Sequence, residues 1–186
     1  MRRISTMRTQ RRLVWLVTLV LVGLVYVAGP LRGAGADTRV VAAAKANKIA
    51  TVRQLITARV DVNGPEVDGS TALLWAAYNG NVEMTKALIA AGAKVDTANK
   101  YGVTPLLQAA RGGESAVMEL LLNAGAKATQ LAADGTTPLM AASRAGNVEG
   151  VRMLVARGAD INAADAFLEE TALMWAADEG HLAVVK

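Results

Sequence analysis

The chain has 186 residues, no Cys, one His and a formal net charge of +4. The lack of Cys excludes a disulfide framework, a thiolate metal site and a thiol nucleophile. The positive charge sits at one end: Arg2, Arg3, Arg8, Arg11, Arg12 and Arg32 precede the first acidic residue, Asp37, and from there on sixteen acidic residues face fourteen basic ones.

Residues 1–36 read as a leader. Five Arg in residues 2–12 are followed by the apolar run 13–28, LVWLVTLVLVGLVYVA, which Gly29 and Pro30 end. Ala34-Gly35-Ala36 places small residues where a signal peptidase reads them. This three-part plan is that of a secretory signal peptide, with cleavage expected after Ala36. The other reading is an uncleaved anchor. A helix over the 17 residues 13–29 would be roughly 26 Å long, at the short limit for a hydrocarbon core about 30 Å thick. Either way the Arg-rich end stays in the cytoplasm and the rest lies beyond the membrane. Arg11-Arg12 invites a twin-arginine reading, which the flanking Gln10 and Leu13-Val14-Trp15 fit poorly.

From Thr38 the chain repeats itself. The first copy is degenerate: Ala42-Ala43-Ala44 stand where later copies have Trp-Ala-Ala, and Asn47 stands in place of a stop glycine. Asparagine takes the left-handed conformation more readily than other non-glycine residues. Arg59 replaces a second glycine, and Lys45, Lys48 and Arg53 add to the polarity of this copy. It reads as an N-terminal cap, with one face to water. The second copy, residues 68–93, is the clearest. After the Asp68-Gly69 turn, Thr71 is expected to cap a short helix that Gly80 stops. Leu73, Ala76 and Ala77 share one face of that helix. A second helix, from about Val82 to Ala91, is stopped by Gly92.

The third copy carries Thr104-Pro105-Leu106, with Pro favoured at the first helical position. Its second helix, through Met118, Leu120, Leu121 and Leu122, is the most apolar. The fourth repeats Thr137-Pro138-Leu139 and closes on Gly158-Ala159-Asp160-Ile161-Asn162. The fifth has one extra residue within 166–170 and lacks the turn glycine, with Leu168 or Glu169 in its place. A distorted, longer finger is expected there. The sequence ends at Lys186, inside the second helix of that copy, so further repeats are expected to follow in a longer protein.

The threonines at 71, 104, 137 and 171 are spaced 33, 33 and 34 residues apart, and the stop glycines at 80, 113, 146 and 180 keep the same steps. The period and the pattern T-P-L, A-A, G, L-L, G-A resemble the ankyrin repeat over roughly residues 38–186. The resemblance implies an all-α solenoid of helix pairs joined by turns and short hairpin fingers, about five repeats in residues 37–186, behind an N-terminal hydrophobic leader helix. The family usually has His after T-P-L, where it ties neighbouring loops. Here Leu74, Leu107, Met140 and Met174 stand there, so packing is expected to replace that polar link.

No catalytic constellation is legible. His181, the one His, sits in a Gly-His-Leu context common in the family and reads as structural. Glu169-Glu170 and Asp178-Glu179 are the only acidic doublets in the repeats and read as solvated turn and helix ends. Gly-rich runs lack the Lys of a phosphate loop. Three aromatics besides Trp75 and Trp175, namely Tyr78, Tyr101 and Phe167, are too few for a nucleic-acid stacking platform. No cofactor, metal or small-molecule substrate is expected.

What remains is recognition of a protein partner. By resemblance, ankyrin arrays bind with the finger tips and the exposed side of the first helices. Those places hold Asp68, Ser70, Tyr78 and Asn79, then Lys100, Tyr101, Val103 and Arg111. They continue with Asp134, Thr136, Arg144 and Arg157, then Phe167, Glu170, Asp178 and Glu179. Tyr78, Asn79, Lys100, Tyr101, Arg111, Arg144, Asp178 and Glu179 form the expected concave binding face. Tyr and Arg there are the residue types that contribute most to binding. Trp75 and Trp175 are expected to be partly buried. The function so read is a non-catalytic interaction scaffold, exported to a bacterial periplasm or secreted, or held at the inner membrane with its repeats outside. The alternative is the N-terminal array of a larger enzyme or effector.

Overall fold

A computed structural model describes residues 37–186; the expected leader helix and signal sequence lie outside these residues. The described residues form five helix pairs: α1 (Arg39–Lys45) with α2 (Ile49–Thr57), α3 (Ala72–Tyr78) with α4 (Val82–Ala90), α5 (Pro105–Arg111) with α6 (Ser115–Asn123), α7 (Pro138–Arg144) with α8 (Val148–Ala156), and α9 (Ala172–Asp178) with α10 (Leu182–Val185). Each pair holds a seven-residue front helix and a rear helix. The front helices stack in sequence order, α1 to α9, and the rear helices stack behind them.

The local chemistry is repeated with the period. Thr71, Thr104, Thr137 and Thr171 each accept, through Oγ1, the backbone N–H three residues on, at 3.3, 3.2, 3.0 and 3.5 Å. This satisfies one of the free amides of each first turn. Thr38 keeps the phase without the bond: the Asp37 carboxylate accepts the Arg39 N–H instead. Pro105 and Pro138 open their helices as expected. Asn81 and Asn147 cap α4 and α8 in the same way.

Between repeats the chain folds into a hairpin finger, closed by bonds such as Asn99 N–H to the Val103 carbonyl, 3.1 Å. Adjacent fingers are stitched by single backbone bonds. Lys100 donates to the Asp68 carbonyl at 2.8 Å, Ala133 to that of Tyr101 at 2.9 Å, and Ala166 to that of Asp134 at 3.2 Å. In the fifth finger the extra residue is accommodated as anticipated. Glu169 takes the left-handed conformation, φ 55°, and Ala164 pairs with Thr171 in an isolated bridge. Asn47 and Arg59 likewise hold the left-handed positions of absent glycines, at φ 53° and 56°.

One continuous core runs through the stack. Leu73, Leu106 and Leu139 from the front helices and Leu88, Leu121 and Leu154 from the rear helices are all buried. At the position where the family has His, Leu74, Leu107 and Met140 are buried too, and the Met140 sulfur accepts the Thr137 N–H at 3.4 Å. Packing has replaced the polar link. Met174, the fifth member, is exposed, as are Leu173 and Leu182. Gly150, inside α8, is explained by its neighbours: a Cβ there would lie 2.8 Å from the amide nitrogen of the capping Asn147 and 3.0 Å from the Met118 terminal methyl.

Thr85 in α4 is fully buried and its hydroxyl has no hydrogen-bond partner. Equivalent positions hold Val52, Met118 and Val151. Thr85→Val keeps the shape and removes an unsatisfied group, so it raises the unfolding free energy by about 1 kcal/mol, readable in urea titration.

Candidate partner-binding face

Because the front helices stack in step, equivalent residues fall into rows. The last helical position of each gives Lys45, Tyr78, Arg111, Arg144 and Asp178, all exposed. Beside them the fingers present Val67, Lys100, Tyr101 and Phe167 to solvent. Tyr78 and Tyr101 retain 59% and 56% of their accessible surface. These two rows carry six of the eight residues singled out from the sequence; Asn79, half-buried, and Glu179, exposed, stand just beyond α3 and α9. Asn79 belongs to the scaffold as well: its amide donates to the Ala44 carbonyl at 3.0 Å, linking α3 to α1.

The two indoles anchor this face by the same device. Trp75 Nε1 donates to Glu66 at 3.0 Å, and Lys45 Nζ, 4.6 Å above the ring, pairs with the same carboxylate at 3.0 Å. Trp175 Nε1 donates to Asp165 at 3.3 Å, and the Arg144 guanidinium lies 5.4 Å over that ring while bonding Glu179 at 3.1 Å. In each case a cation from the preceding repeat covers the ring, and a carboxylate from the finger holds its N–H. Both indoles are partly buried, as expected. Glu66 and Asp165 were not marked as site residues by sequence; the signal for them is their constant place, nine or ten residues ahead of Trp.

The Leu168 and Phe167 backbone N–H groups hold the Asp165 carboxyl below the usual carboxylate range. With its folded value depressed, its support of the fifth finger is present above the ordinary carboxylate range and fades as pH falls through the lower value. At Asp68 the Ser70 N–H has the same effect. At Asp134 partial burial opposes the shift, and the Thr136 N–H and the Arg111 charge, 3.7 Å away, outweigh it.

Four expectations are corrected. Ser70, Val103 and Thr136 are buried and present little surface to a partner. Arg157 does not join the face. It stands at the end of α8 and reaches back to the end of α6, donating to the Leu122 carbonyl at 2.7 Å and to Asn123 at 2.6 Å. His181 precedes α10 and donates through Nε2 to the Arg144 carbonyl at 2.9 Å, a contact between repeats.

A family model described as ankyrin repeats (3 copies) matches residues 40–132, 92–165 and 127–186, together spanning residues 40–186. The chain belongs to the ankyrin-repeat family. No curated protein matches it at a significant level. An ankyrin-repeat array is a protein–protein interaction module, and this one presents its exposed aromatic and charged side chains on the face just described. Among the described residues no ankyrin helix is long and apolar enough to cross a membrane.

Proposed function

We propose that the protein is a non-catalytic scaffold whose front-helix and finger face captures a protein partner. The observation that carries this reading is the pair of exposed rows, in which Tyr78, Tyr101, Arg111 and Arg144 stand on a stacked, hydrogen-bonded support. Tyr and Arg lose little freedom for the contact they make, and they are enriched among the residues that dominate interfaces. Side chains already held by indole, carboxylate and neighbouring finger cost less to order on binding.

The test is capture of the partner by full-length protein and by Tyr78→Ala/Tyr101→Ala, both side chains being exposed. The double variant keeps its melting temperature and loses at least about 2 kcal/mol of binding, roughly thirtyfold in Kd. Unchanged affinity overturns the assignment of the face. The leader pattern further supports export, to the periplasm or beyond, with Asp37 as the first mature residue. N-terminal sequencing of the exported protein tests this; a chain still beginning at Met1 contradicts cleavage.

A further inference from the structure

The repeats differ at one place in a way that describes a ligand. In the second repeat the trio is Lys45, Trp75 and Glu66; in the fifth it is Arg144, Trp175 and Asp165. In the third, cation and indole are both replaced, by Tyr78 and Gln108. The fourth keeps only the cation. Arg111 stands where Lys45 and Arg144 stand, but the indole position is Ala141 and its carboxylate position is Ala132. Where the ring is absent lies a hollow of about 450 Å³, lined by Ala141 together with Arg111, Asp134, Arg144, Trp175 and Glu179. A second hollow of about 330 Å³ adjoins it, sharing Asp134, Arg144 and Trp175.

Resting on the reading of this face as the partner site, we infer that the hollow at Ala141 is a socket for an aromatic side chain of the partner, Trp or Tyr, carried on a segment with basic neighbours. The visiting ring takes the place of the missing indole, with the Arg111 guanidinium against its face as Arg144 lies against Trp175. Its N–H or O–H donates to the Asp134 carboxylate, which also lines the hollow, accepts the Thr136 N–H through one oxygen at 3.0 Å and lies 3.7 Å from the Arg111 guanidinium through the other. Basic neighbours follow from charge. The two hollows carry the carboxylates of Asp134, Asp165, Glu170, Asp178 and Glu179 against two guanidiniums. Such an excess draws cations and rejects acidic segments.

The experiment compares two fluorescein-labelled peptides, Lys-Gly-Trp-Gly-Lys and Lys-Gly-Ala-Gly-Lys, by anisotropy against the full chain. The Trp peptide binds at least about tenfold more tightly, as expected for burying one indole beside a guanidinium. Ala141→Trp supplies the missing ring from the chain itself and reduces that preference to within about twofold, as does Arg111→Ala, which keeps the test open if the larger side chain disturbs folding. No measurable binding, equal binding of the two peptides, or a preference surviving both variants overturns the socket. If partner capture falls with Tyr78→Ala/Tyr101→Ala while the peptides are not distinguished, the face stands and the socket alone is wrong. If the peptides are distinguished while capture is unchanged, the broader assignment fails instead.

Discussion

Gly102→Ala lowers the unfolding free energy by at least about 3 kcal/mol, the sum of backbone strain and a lost bond between fingers. Gly102 sits at φ 75°, where a Cβ is strained on its own account. The added atom would also lie 2.8 Å from the Ala133 nitrogen and 2.9 Å from the Ala132 Cα. Both are backbone atoms of the next finger, and the Ala133 N–H is the one that donates to the Tyr101 carbonyl. The fingers must separate to admit it. Gly125→Ala is the control: φ is 92°, yet nothing lies within 4 Å of the new Cβ. Its cost is the conformational part alone, about 1–2 kcal/mol. Urea unfolding of the two variants reads the difference. Equal losses would mean that the contact between fingers contributes nothing. Gly102→Ala also displaces Tyr101, so partner affinity falls in step.

Leu107→Ala is the second large effect, a loss of about 2–5 kcal/mol. Leu107 is fully buried in α5, the middle of the front stack, with α3 on one side and α7 on the other. Truncation there removes apolar burial and leaves a hole that three helices must close around. Met174 stands at the equivalent position of α9 but keeps 54% of its surface. Met174→Ala therefore costs about 0.5 kcal/mol or less. Equivalent positions holding apolar side chains of similar size give different losses, because in this 186-residue chain α5 has a front helix on both sides and α9 on one. Similar losses would contradict a stack stabilised by its neighbours.

The parts of the fold legible in the sequence have causes within one repeat. Thr71 and Thr104 cap because an oxygen must meet a free amide three residues on, and that requirement leaves a residue type at a fixed place. Asn47 could be read in advance for the same reason, since few side chains accept φ 53°. Tyr78, Arg111 and Arg144 could be placed in one row once the period was known. What stayed hidden depends on the neighbouring repeat. Ser70 is buried, and the Asn99 amide of the next finger donates to its hydroxyl at 3.4 Å, 29 residues away. Arg157 looks like a free surface cation until the end of α6 supplies its carbonyl, 35 residues away. The tie from Lys45 to Trp75 spans 30 positions and has no local mark. Among the second to fifth repeats only the fourth lacks the ring while keeping its cation, and that makes the pattern informative about a ligand.

Amide hydrogen exchange on the full chain, native and Leu107→Ala, tests most directly whether the repeats hold one another. In the native protein the slowest amides lie in α5 and α6, and protection declines toward α1 on one side and α10 on the other. The lesion in α5 speeds exchange in α3 and α7 along with α5 itself, because the face lost to one helix is the face its neighbours pack on. Native-like protection in α3 and α7 beside a loosened α5 would show independent helix pairs, and would remove the support on which the binding face is assembled.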